Sequence, residues 1–464
     1  MIYQKWLYGV YMNKIDVIIL AAGKGTRMNS SLPKVLHKLA GRTLLHHVIS
    51  AVNCVSNCRI IVITGYKAEA VEKLHAQNNC IFVRQSEQLG TAHAVKMALP
   101  HIRDLSDVLI LYGDVPLVST STIRKMIGAV KDGQIGLLTV EKDNPFGYGR
   151  IVSNEQGCIE SIVEHNDATS DQLKITEVNT GVMAMNGSQL KKWIPKIKDD
   201  NRNNEYYLTD IIEIARLNSC AIRRIQPNSV IEVEGVNNRE QLSRLERSYQ
   251  KRLAYEFMLS GNSLADPSRF DQRGKLKTGI DNHIDVNCIF EGEVQLGNNI
   301  TIGPNCYITN SIIDDYAEIK ANSYVESSQI KSGATVGPFA RLRPGTLIGE
   351  GSKVGNFVEI KKTTLGNGSK VNHLTYLGDT KIGSDANIGA GTITCNYDGS
   401  KKHETTIGEN VFVGSNTTLV APITLSNDSF VAAGSTVTNS VSEGQLAVGR
   451  AKQRNVTGWK PPAK

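Results

Sequence analysis

Aliphatic residues recur every six positions through the second half of the chain, between residues 296 and 437. The unbroken series are Leu296, Ile302, Ile308; Ile330, Val336, Leu342, Ile348, Val354, Ile360; and Ile407, Val413, Leu419, Leu425, Val431, Val437. A period of six fits neither an α-helix nor a simple alternating strand. It is typical of a parallel β-helix, in which short strands turn at small residues and each coil buries its aliphatic side chains against the next.

The first half has a different pattern, because residues 17–235 alternate strand-like and helix-like segments. Strands are predicted at 17–20, 59–63 and 108–112, and helices at 43–55 and 67–77. This alternation predicts a mainly parallel, doubly wound sheet, so the fold class is α/β with a Rossmann-like domain followed by the β-helix. Ligands of such sheets bind beyond the carboxyl ends of the strands.

With 464 residues the chain is too long for one hydrophobic core. Apolar residues at spacings of three and four predict an amphipathic linker helix between the two halves. Those residues are Leu242, Leu245, Tyr249, Leu253 and Phe257. The predicted division is an N-terminal extension (1–13), a nucleotide-binding domain (14–238), the linker (239–262) and a β-helix domain with a basic tail (263–464).

The composition of the chain limits the classes of ligand and the cellular compartment that fit it. The net charge of +7, from 52 Lys plus Arg against 45 Asp plus Glu, suits anionic small molecules and does not favour nucleic acid. No segment approaches the roughly 20 apolar residues of a membrane span, and no signal peptide is recognised at the N-terminus. The eight scattered cysteines indicate reduced side chains in the cytoplasm, and Cys395 is expected to be a small buried residue.

The loop after the first predicted strand reads LAAGKGTRM over residues 20–28, and Lys34 follows a proline. Gly23 and Gly25 allow the backbone to approach a ligand and to aim N–H groups at phosphates. Arg27 and Lys34 add positive charge. The loop lacks the third glycine of a dinucleotide fingerprint and the Gly-Lys-Ser/Thr of a Walker loop, so it predicts another kind of phosphate site.

The strand at 108–112 ends in a second candidate site. Asp114 places a carboxylate at the carboxyl end of the sheet, where a metal ion could bridge phosphates. Further short motifs follow the same order along the chain: Gln85 with residues 88–92, residues 146–150, Glu164, residues 179–181 and residues 236–238.

These motifs together resemble those of the sugar-phosphate nucleotidyltransferases, and Gln85 with residues 88–92 resembles the uracil-reading segment of the uridyltransferase branch. The pairing with a hexapeptide half resembles the bacterial bifunctional N-acetylglucosamine-1-phosphate uridyltransferase/glucosamine-1-phosphate acetyltransferases, from Asp16 to nearly the end of the chain. That family makes UDP-N-acetylglucosamine for peptidoglycan and lipopolysaccharide. The resemblance implies acetyl transfer from acetyl-CoA to glucosamine-1-phosphate, followed by uridyl transfer from UTP.

For uridyl transfer, the resemblance implies that Arg27 and Lys34 hold phosphates and that Asp114 and Asn237 bind Mg²⁺. Oxygen ligands with remaining places for water and phosphate suit that ion. Attack of the sugar 1-phosphate on the α-phosphorus of UTP needs charge neutralisation and positioning rather than a protein nucleophile. The implied UTP and sugar-nucleotide contacts are Leu20, Ala21, Ala22, Gly23, Lys34, Gln85, Gly90, Thr91, Tyr112, Gly113, Asp114, Gly149, Glu164, Asn179 and Asn237.

In the β-helix half, the departures from the six-residue pattern indicate a site. Residues 340–345 carry two arginines, and residues 395–403 interrupt the repeat with a loop of the kind that often carries ligands. His373 lies three residues before Tyr376, among Arg, Lys and Asn rather than in an apolar row. This setting favours a functional role for His373.

The resemblance implies that His373 is the general base that takes a proton from the glucosamine amine, a role that suits imidazole near neutral pH. Glu359 is a candidate to orient it. The implied sugar-phosphate contacts are Arg343, Lys361, Tyr376 and Asn387, and the implied acetyl-CoA contacts are Ala390, Asn396, Tyr397, Ser415, Ala433 and Arg450. The resemblance also implies a left-handed coil and a homotrimer that shares acetyl sites between chains.

Two other functions fit the general layout. The chain could be a sugar-1-phosphate nucleotidyltransferase with a regulatory β-helix, but such a solenoid needs neither His373 nor the inserted loop. It could also be a non-catalytic assembly or nucleotide-sensing subunit, for which a degenerate site would be expected. The site residues are all present, which argues against that second alternative; they are Arg27, Lys34, Asp114 and Asn237.

Overall fold

The computed structural model describes residues 14–130 and 133–462. The predicted extension, residues 1–13, lies outside the described residues. The chain divides into two compact units, Met1–Tyr249 and Gln250–Lys464. The division falls inside a helix of 21 residues, Arg239–Leu259, which confirms the prediction that this segment is helical.

The first unit is built on a nine-stranded sheet with a separate two-stranded hairpin. Its strands are β1 (Lys14–Ala21), β2 (Lys38–Leu39), β3 (Arg42–Thr43), β4 (Cys58–Thr64), β5 (Cys80–Arg84), β6 (Ser106–Tyr112), β7 (Ile135–Glu141), β8 (Arg150–Ser153), β9 (Ile159–Val163), β10 (Glu177–Asn186) and β11 (Ile222–Ile225). The helices are α1 (Leu44–Asn53), α2 (Ala68–His75), α3 (Thr91–Ala98), α4 (Thr120–Ala129), α5 (Gly187–Trp193), α6 (Ile211–Leu217) and α7 (Arg239–Leu259). Short 3-10 helices of this unit lie at Thr26–Met28, Lys34–Leu36, Ala76–Asn78, Leu99–His101, Gln172–Lys174, Ile194–Lys196, Leu208–Asp210 and Val230–Val233, and another, Pro267–Arg269, belongs to the second unit.

The sheet is mainly parallel, as the alternating pattern predicts. Its order is β11-β7-β10-β6-β1-β4-β5, with β8 and β9 attached at β10. β1 lies between β4 and β6 and is parallel to both, whereas β10 runs antiparallel to β6 and β7. The chain leaves β1 toward β4 on one side and later adds β6 on the other, so a crevice forms beyond the carboxyl end of β1.

Apolar residues of the strands face helices on both sides of this sheet. Along β1, Ile18 joins one core cluster and Val17 and Ile19 join another. All three side chains are fully buried. This burial on both faces explains why the strand reads as a continuous aliphatic run rather than an alternating one.

The second unit consists of short parallel strands. They are β12 (Ser263–Leu264), β13 (Phe270–Thr278), β14 (His283–Ile284), β15 (Cys288–Leu296), β16 (Thr301–Ile302), β17 (Tyr307–Thr309), β18 (Ile312–Ile313), β19 (Glu318–Ile319), β20 (Tyr324–Glu326), β21 (Gln329–Ile330), β22 (Thr335–Val336), β23 (Arg341–Leu342), β24 (Leu347–Ile348), β25 (Lys353–Asn356), β26 (Glu359–Lys361), β27 (Thr364–Leu365), β28 (Lys370–His373), β29 (Tyr376–Gly378), β30 (Thr380–Ile382), β31 (Asn387–Ile388), β32 (Ile393–Cys395), β33 (Thr405–Ile407), β34 (Phe412–Val413), β35 (Thr418–Val420), β36 (Ile423–Leu425), β37 (Phe430–Val431), β38 (Thr436–Val437) and β39 (Leu446–Ala447).

These strands form three parallel ladders, one for each face of the coil. The first face runs from β12 through β28 and β31 to β39. The second runs from β13 and β15 through β23, β26, β29 and β32 to β38, and the third from β18 through β27 and β30 to β36. The fold is a parallel β-helix, which confirms the prediction from the six-residue period, and its three ladders are consistent with the left-handed coil that the family resemblance implies.

The repeating aliphatic residues stack in rows inside the coil. On the first face, each row member pairs with its counterpart in the next coil, and all of them are almost fully buried. One row is Ile302, Ile319, Val336, Val354, Val371, Ile388 and Val413. At α7, Ala254 and Phe257 belong to the same core cluster as the coil, so the C-terminal half of the helix covers the first turns of the coil.

Among the described residues, no helix has the length and apolar character needed to cross a membrane.

Candidate functional sites

A cavity of about 270 Å³ lies at the carboxyl ends of β1 and β6, beside the start of α3. This is the crevice that the strand order creates. Its walls contain ten of the residues implied by sequence for UTP: Leu20, Ala21, Ala22, Gly23, Lys34, Gln85, Gly90, Thr91, Tyr112 and Asp114. Gln88, from the predicted uracil-reading segment, also lines the cavity, and Val35, Ala94 and Glu205, which were not predicted, complete the walls.

Two glycines, one in the cavity wall and one beside Lys34, have backbone conformations that other residues rarely adopt. Gly25 has a φ of +67°, and a Cβ there would lie 2.7 Å from the Cβ of Lys34. Gly90 has a φ of +116°, and a Cβ there would lie 2.6 Å from the carbonyl oxygen of Tyr206. At Gly23 a Cβ would meet nothing within 4 Å, so its backbone faces open space.

Four predicted residues meet at the phosphate end of the cavity. Lys34 Nζ forms a hydrogen-bonded ion pair with Asp114 Oδ2 and donates to Asn237 Oδ1 at 3.2 Å. Arg27 Nη2 donates to the same Asn237 oxygen at 3.3 Å. A carboxylate oxygen and an amide oxygen therefore converge on one cationic group.

This arrangement fits a Mg²⁺ ion, because Asp114 and Asn237 supply hard oxygen ligands around one point of positive charge. Within residues 14–130 and 133–462, no group of three or more His, Cys, Asp or Glu side chains could hold a metal ion. The two oxygens could therefore hold Mg²⁺ only together with water or phosphate ligands, which is the usual situation for this ion.

The predicted contacts Gly149, Glu164 and Asn179 lie outside the cavity wall, and Glu164 is close enough to Tyr112 to influence its hydroxyl. Asn179 N–H donates to the carbonyl of Gly149 at 2.8 Å, and a Cβ on Gly149 would lie 3.4 Å from the Glu164 carboxylate. Burial raises the pKa of the Tyr112 hydroxyl, and the charges of Glu164 and Asp114 raise it further. Gly113 N–H donates to the carbonyl of Leu20 at 2.9 Å, which joins the ends of β6 and β1.

Acidic side chains cluster beside Glu164. Its Oε1 accepts a hydrogen bond from Thr209 at 3.1 Å, while burial and the charge of Asp167 raise its pKa. Burial and the charges of Glu164, Glu213 and Asp167 raise the pKa of Asp210 to about 6. These carboxylates therefore lie close enough together to raise one another's pKa values.

In the β-helix, four predicted residues stack at one corner of the coil. Asn356, His373, Ala390, Ser415 and Ala433 occupy this corner in successive turns. From His373 onward, the residue that follows each member of this column donates its N–H to the carbonyl of the member one coil earlier. These four hydrogen bonds measure 3.0, 3.3, 2.7 and 2.8 Å. The predicted Arg450 continues the column, since its Nη1 donates to the carbonyl of Ala433. The column joins the candidate base to the candidate acetyl-CoA residues.

His373 is exposed at this corner, and its Nδ1 lies 2.5 Å from Asn356 Oδ1. An amide oxygen accepts only, so Nδ1 carries the hydrogen and Nε2 keeps a free lone pair. Glu359 does not orient this ring as proposed from sequence. Its carboxylate accepts from Arg343 Nη1 at 2.8 Å and lies 3.9 Å from Arg341 Nη1, because these arginines occupy the adjacent coil.

Positively charged side chains lie close together around Lys361 on the second face of the coil. Interaction with Lys402 is the largest cause that lowers the pKa of Lys361, followed by burial and the charge of Arg343. Lys402 was not predicted, because nothing in the loop sequence shows that the loop folds back toward Lys361. The charge of Asp379 opposes this shift, so two lysines and an arginine lie near one carboxylate, a balance of charge that favours an anion.

Tyr376 and Asn396 lie between the His373 corner and the positively charged group around Lys361. A Cβ on Gly378 would lie 2.5 Å from the Tyr376 hydroxyl and 2.7 Å from Asn396 Nδ2, so both polar groups lie over this glycine. Asn396 also donates to Asp379 at 2.6 Å. The predicted Asn387 lies on β31 of the first face, next to the Ala390 corner, and pairs with Lys370 and Phe412.

The inserted loop is an ordered hairpin, with an antiparallel bridge between Tyr397 and Lys402. Asp398 Oδ1 accepts from the amides of Ser400 and Lys401 at 2.8 and 2.6 Å, and Oδ2 lies 2.6 Å from His403 Nε2. These contacts lower the pKa of Asp398, with the Lys401 amide the largest cause. His403 is therefore held as part of the loop structure.

Cys395 is exposed, contrary to the expectation that it is buried. It lies on β32, where Ile393 and Cys395 face outward and Thr394 faces the core. The strand alternation decides which side chain is inside, and it places the threonine there. All eight cysteines are free thiols.

Comparison with known proteins agrees with this layout. Residues 17–172 match the family model of the MobA-like NTP transferase domain, and residues 404–439 match that of the hexapeptide repeat of succinyl-transferase. A nucleotidyl transferase from Methanothermobacter thermautotroptrophicus covers 52% of this chain and 99% of its own at 17% identity and a TM-score of 0.39. HddC from Yersinia pseudotuberculosis covers 50% of this chain and 99% of its own at 20% identity and a TM-score of 0.39.

The fold and the two sites define a transferase in which a nucleotidyltransferase unit precedes a hexapeptide-repeat acyltransferase unit. Over 453 residues, 98% of this chain and 100% of the relative, the sequence is 51% identical to the bifunctional protein GlmU of Marinobacter nauticus. The chain belongs to the family of the bifunctional GlmU proteins. It is a glucosamine-1-phosphate acetyltransferase and an N-acetylglucosamine-1-phosphate uridyltransferase, and it uses sugar phosphates, UTP and acetyl-CoA.

Proposed function

We propose that the cavity at the carboxyl end of β1 is the uridyltransferase site. UTP would lie along residues 20–23 with its phosphates toward Arg27 and Lys34, and its base toward Gln85 and Gly90. A 1-phosphate oxygen of N-acetylglucosamine-1-phosphate attacks the α-phosphorus, a new P–O bond forms, and the bond to the β-phosphate breaks to release pyrophosphate. The cations neutralise charge that grows on the phosphates, which is the main contribution a protein can make to this step.

Asp114 and Asn237 would hold Mg²⁺ in this site. When bound, the ion would supply further charge neutralisation for the triphosphate. The support is the convergence of their two oxygens on the Lys34 ammonium, because oxygen atoms that contact one cation suit another. In the sugar half, Gly149, Glu164 and Asn179 would accept or donate hydrogen bonds to the hydroxyl and acetamido groups beside Tyr112.

We propose that acetyl transfer takes place along the column that begins at Asn356. The free Nε2 of His373 takes a proton from the glucosamine amine, and the amine attacks the thioester carbonyl of acetyl-CoA. A C–N bond forms, the C–S bond breaks, and CoA leaves as the thiol. Asn356 holds the ring in the tautomer that this step requires, since its oxygen fixes the hydrogen on Nδ1.

The phosphate of glucosamine-1-phosphate would lie at the cationic end of the second face. Lys361, Arg343 and Lys402 provide the charge, and Tyr376 lies between them and His373. Arg343 is partly neutralised by Glu359, whereas the proximity of Lys402 to Lys361 leaves net positive charge. Asn387 would contact the sugar. Acetyl-CoA would follow Ala390, Asn396, Tyr397, Ser415, Ala433 and Arg450.

The active assembly would be a homotrimer. Phe339, Phe357 and Leu374 form an exposed apolar column at the His373 corner, with side chains 48%, 56% and 63% exposed. The rings of Phe339 and Phe357 stack with centroids 5.2 Å apart. Such a row of large apolar side chains in water supports contact with a second copy of the chain at this corner.

The domain limits that we propose are 14–238 for uridyl transfer, 239–262 for the linker and 263–464 for acetyl transfer. The protein would act in the cytoplasm, which its eight free cysteines support because such thiols persist in a reducing compartment.

The observation that carries this proposal is the presence of two separate cationic sites, one at Lys34 and one at Lys361. The test is to assay Lys34→Ala and Lys361→Ala for each reaction separately. Lys34→Ala should lower uridyl transfer and leave acetyl transfer unchanged, and Lys361→Ala should do the reverse. If both variants impair the same reaction, the division of labour is wrong.

A further inference from the structure

Gln85 is the residue to which we assign recognition of the nucleobase. Its side chain contacts a histidine that is not part of the cavity wall. Its side chain is only 4% exposed and lines the cavity. Gln85 Nε2 donates to the carbonyl of Gly90 at 3.3 Å and lies 3.0 Å from Nδ1 of His93. His93 is on α3, one turn from the strand-to-helix loop.

These two contacts fix which end of the amide faces the ligand. A carbonyl oxygen can only accept, so the contact with Gly90 identifies the amide NH₂ end of Gln85. The second hydrogen of that NH₂ group is then directed to His93, whose Nδ1 must accept it. The oxygen Oε1 is consequently the end of Gln85 that remains for a ligand.

That orientation suits uracil and not cytosine. N3 of uracil carries a hydrogen and donates to a carbonyl oxygen, whereas N3 of cytosine carries a lone pair and would face Oε1 with two acceptors opposed. If the amide turned over, its NH₂ group would favour cytosine instead. A buried acceptor facing an acceptor loses binding free energy, because neither group then has a hydrogen-bond partner.

We infer that His93 is a positioning residue that sets the nucleobase preference of uridyl transfer by locking the Gln85 amide in its acceptor-forward orientation. The inference rests on the proposed role of Gln85. His93 does not line the nucleotide cavity itself. Its ring lies beside Tyr206, with ring centroids 6.5 Å apart, and borders a second cavity, whereas Gln85 lines the nucleotide cavity. Its effect on the base therefore passes through the glutamine.

The test is steady-state uridyl transfer by the full-length protein with UTP and with CTP. His93→Leu keeps a side chain of similar size but offers no acceptor. It should raise KM for UTP about 3- to 10-fold, the range of one lost neutral hydrogen bond, with kcat at saturating UTP nearly unchanged. The preference for UTP over CTP in kcat/KM should fall about tenfold.

His93→Asn is the rescue variant, because its amide oxygen can accept from Gln85 near the place of Nδ1. It should keep most of the UTP preference. Lys96→Ala, an exposed change on the same helix, should behave as the unaltered protein. Circular dichroism and thermal unfolding of every variant report whether the first unit, which contains His93 and Gln85, is folded.

Two results would overturn the inference: an unchanged preference in His93→Leu, or equal losses in His93→Leu and His93→Asn, which would show a packing role. Gln85→Leu separates this failure from failure of the site assignment. If Gln85→Leu retains the UTP preference, Gln85 does not read the base. If Gln85→Leu loses it and His93→Leu does not, only the positioning by His93 is wrong. If both lose it, the double variant should be no worse than Gln85→Leu.

Discussion

Three histidines of the β-helix differ in what surrounds them, and this difference separates chemistry from structure. His373 is exposed and bonded through Nδ1 to an amide oxygen, which leaves Nε2 as a base. The Nε2 atom of His403 is hydrogen-bonded to Asp398 inside the loop hairpin. His283 lies exposed on β14, far along the chain from either. Only His373 combines a fixed tautomer with a free nitrogen.

His373→Ala should therefore lower acetyl transfer by about 10²- to 10⁴-fold, the usual contribution of a positioned proton acceptor. Uridyl transfer from N-acetylglucosamine-1-phosphate should stay near normal, since its site lies in the other unit. Rates of both reactions in purified protein give the measurement, and His283→Ala serves as the matched control with no loss. A folded His373→Ala protein with full acetyl transfer would show that another group is the base.

Asp210 gives a prediction about stability and pH. Burial and neighbouring carboxylates raise its pKa to about 6 in the folded state, above the ordinary value of 3.8. Between those two pH values the folded form binds the proton more strongly than the unfolded form, so stability falls as the pH rises through this window. The groups that face it are Glu164, Glu213 and Asp167.

Asp210→Asn removes this charge and should raise the Tm of the first unit at pH 7.5 by about 2–4 °C, the effect of about 1 kcal/mol in a domain of this size. At pH 4 the difference should nearly vanish, because Asp210 is then protonated in the folded protein. Differential scanning calorimetry at the two pH values measures this, with the exposed Asp200→Asn as control. An equal gain at both values would remove the electrostatic explanation.

At this scale the sequence predicted the residues that belong to compact motifs. Gly23, Lys34 and Asp114 lie where the strand pattern places them, at the cavity. Contacts that depend on distant segments were not predictable: Lys402 approaches Lys361 through a folded loop. Asn356 reaches His373 because strands one coil apart are in register, which residue spacing could not reveal.

At the scale of elements, the loop between β32 and β33 is the main departure from the regular coil. It has its own bridge between Tyr397 and Lys402, and Asp398 ties its turn to His403. The hexad pattern predicted where the loop leaves the coil, but not that it is a closed hairpin. The loop thereby holds Tyr397 and Lys402 beside the proposed acetyl site.

Asp398→Ala should loosen this loop, because it removes the acceptor for two amides and for His403. We expect acetyl transfer to fall about tenfold, mainly through a higher KM for glucosamine-1-phosphate as Lys402 loses its position, the cost of about 1.4 kcal/mol in binding. The coil core should be unaffected. Steady-state kinetics measure the change, and an exposed acidic residue on a regular coil, Glu318→Ala, is the control. Unchanged kinetics would mean that the loop does not place Lys402.

At the scale of the whole molecule, the two units have separate cores and separate sites. The six-residue and strand–helix patterns predicted both architectures, because each is set by local periodicity. The division within α7 was less predictable: Phe257 near its end contacts Phe270 of the coil, with ring centroids 5.3 Å apart. The C-terminal half of the helix therefore belongs to the core of the second unit.

A fragment of residues 250–464 retains this contact and should form a trimer that catalyses acetyl transfer alone. The exposed column at Phe339, Phe357 and Leu374 would be covered in the trimer. Light scattering and an acetyl-transfer assay measure the two properties, and Phe357→Glu should weaken association by placing a charge in an apolar contact. A fully active monomer would contradict the proposed assembly.

The central claim is that one chain carries two independent reactions that act in sequence. The most direct measurement starts from glucosamine-1-phosphate, acetyl-CoA, UTP and Mg²⁺ and follows UDP-N-acetylglucosamine. Asp114→Ala, which loses a proposed metal ligand, and His373→Ala, which loses the proposed base, should each fail to make it at a normal rate. A mixture of the two variants should restore synthesis, because the acetylated sugar phosphate passes from one to the other in solution. A mixture of folded variants that stays inactive, or either variant alone at full rate, would contradict the account.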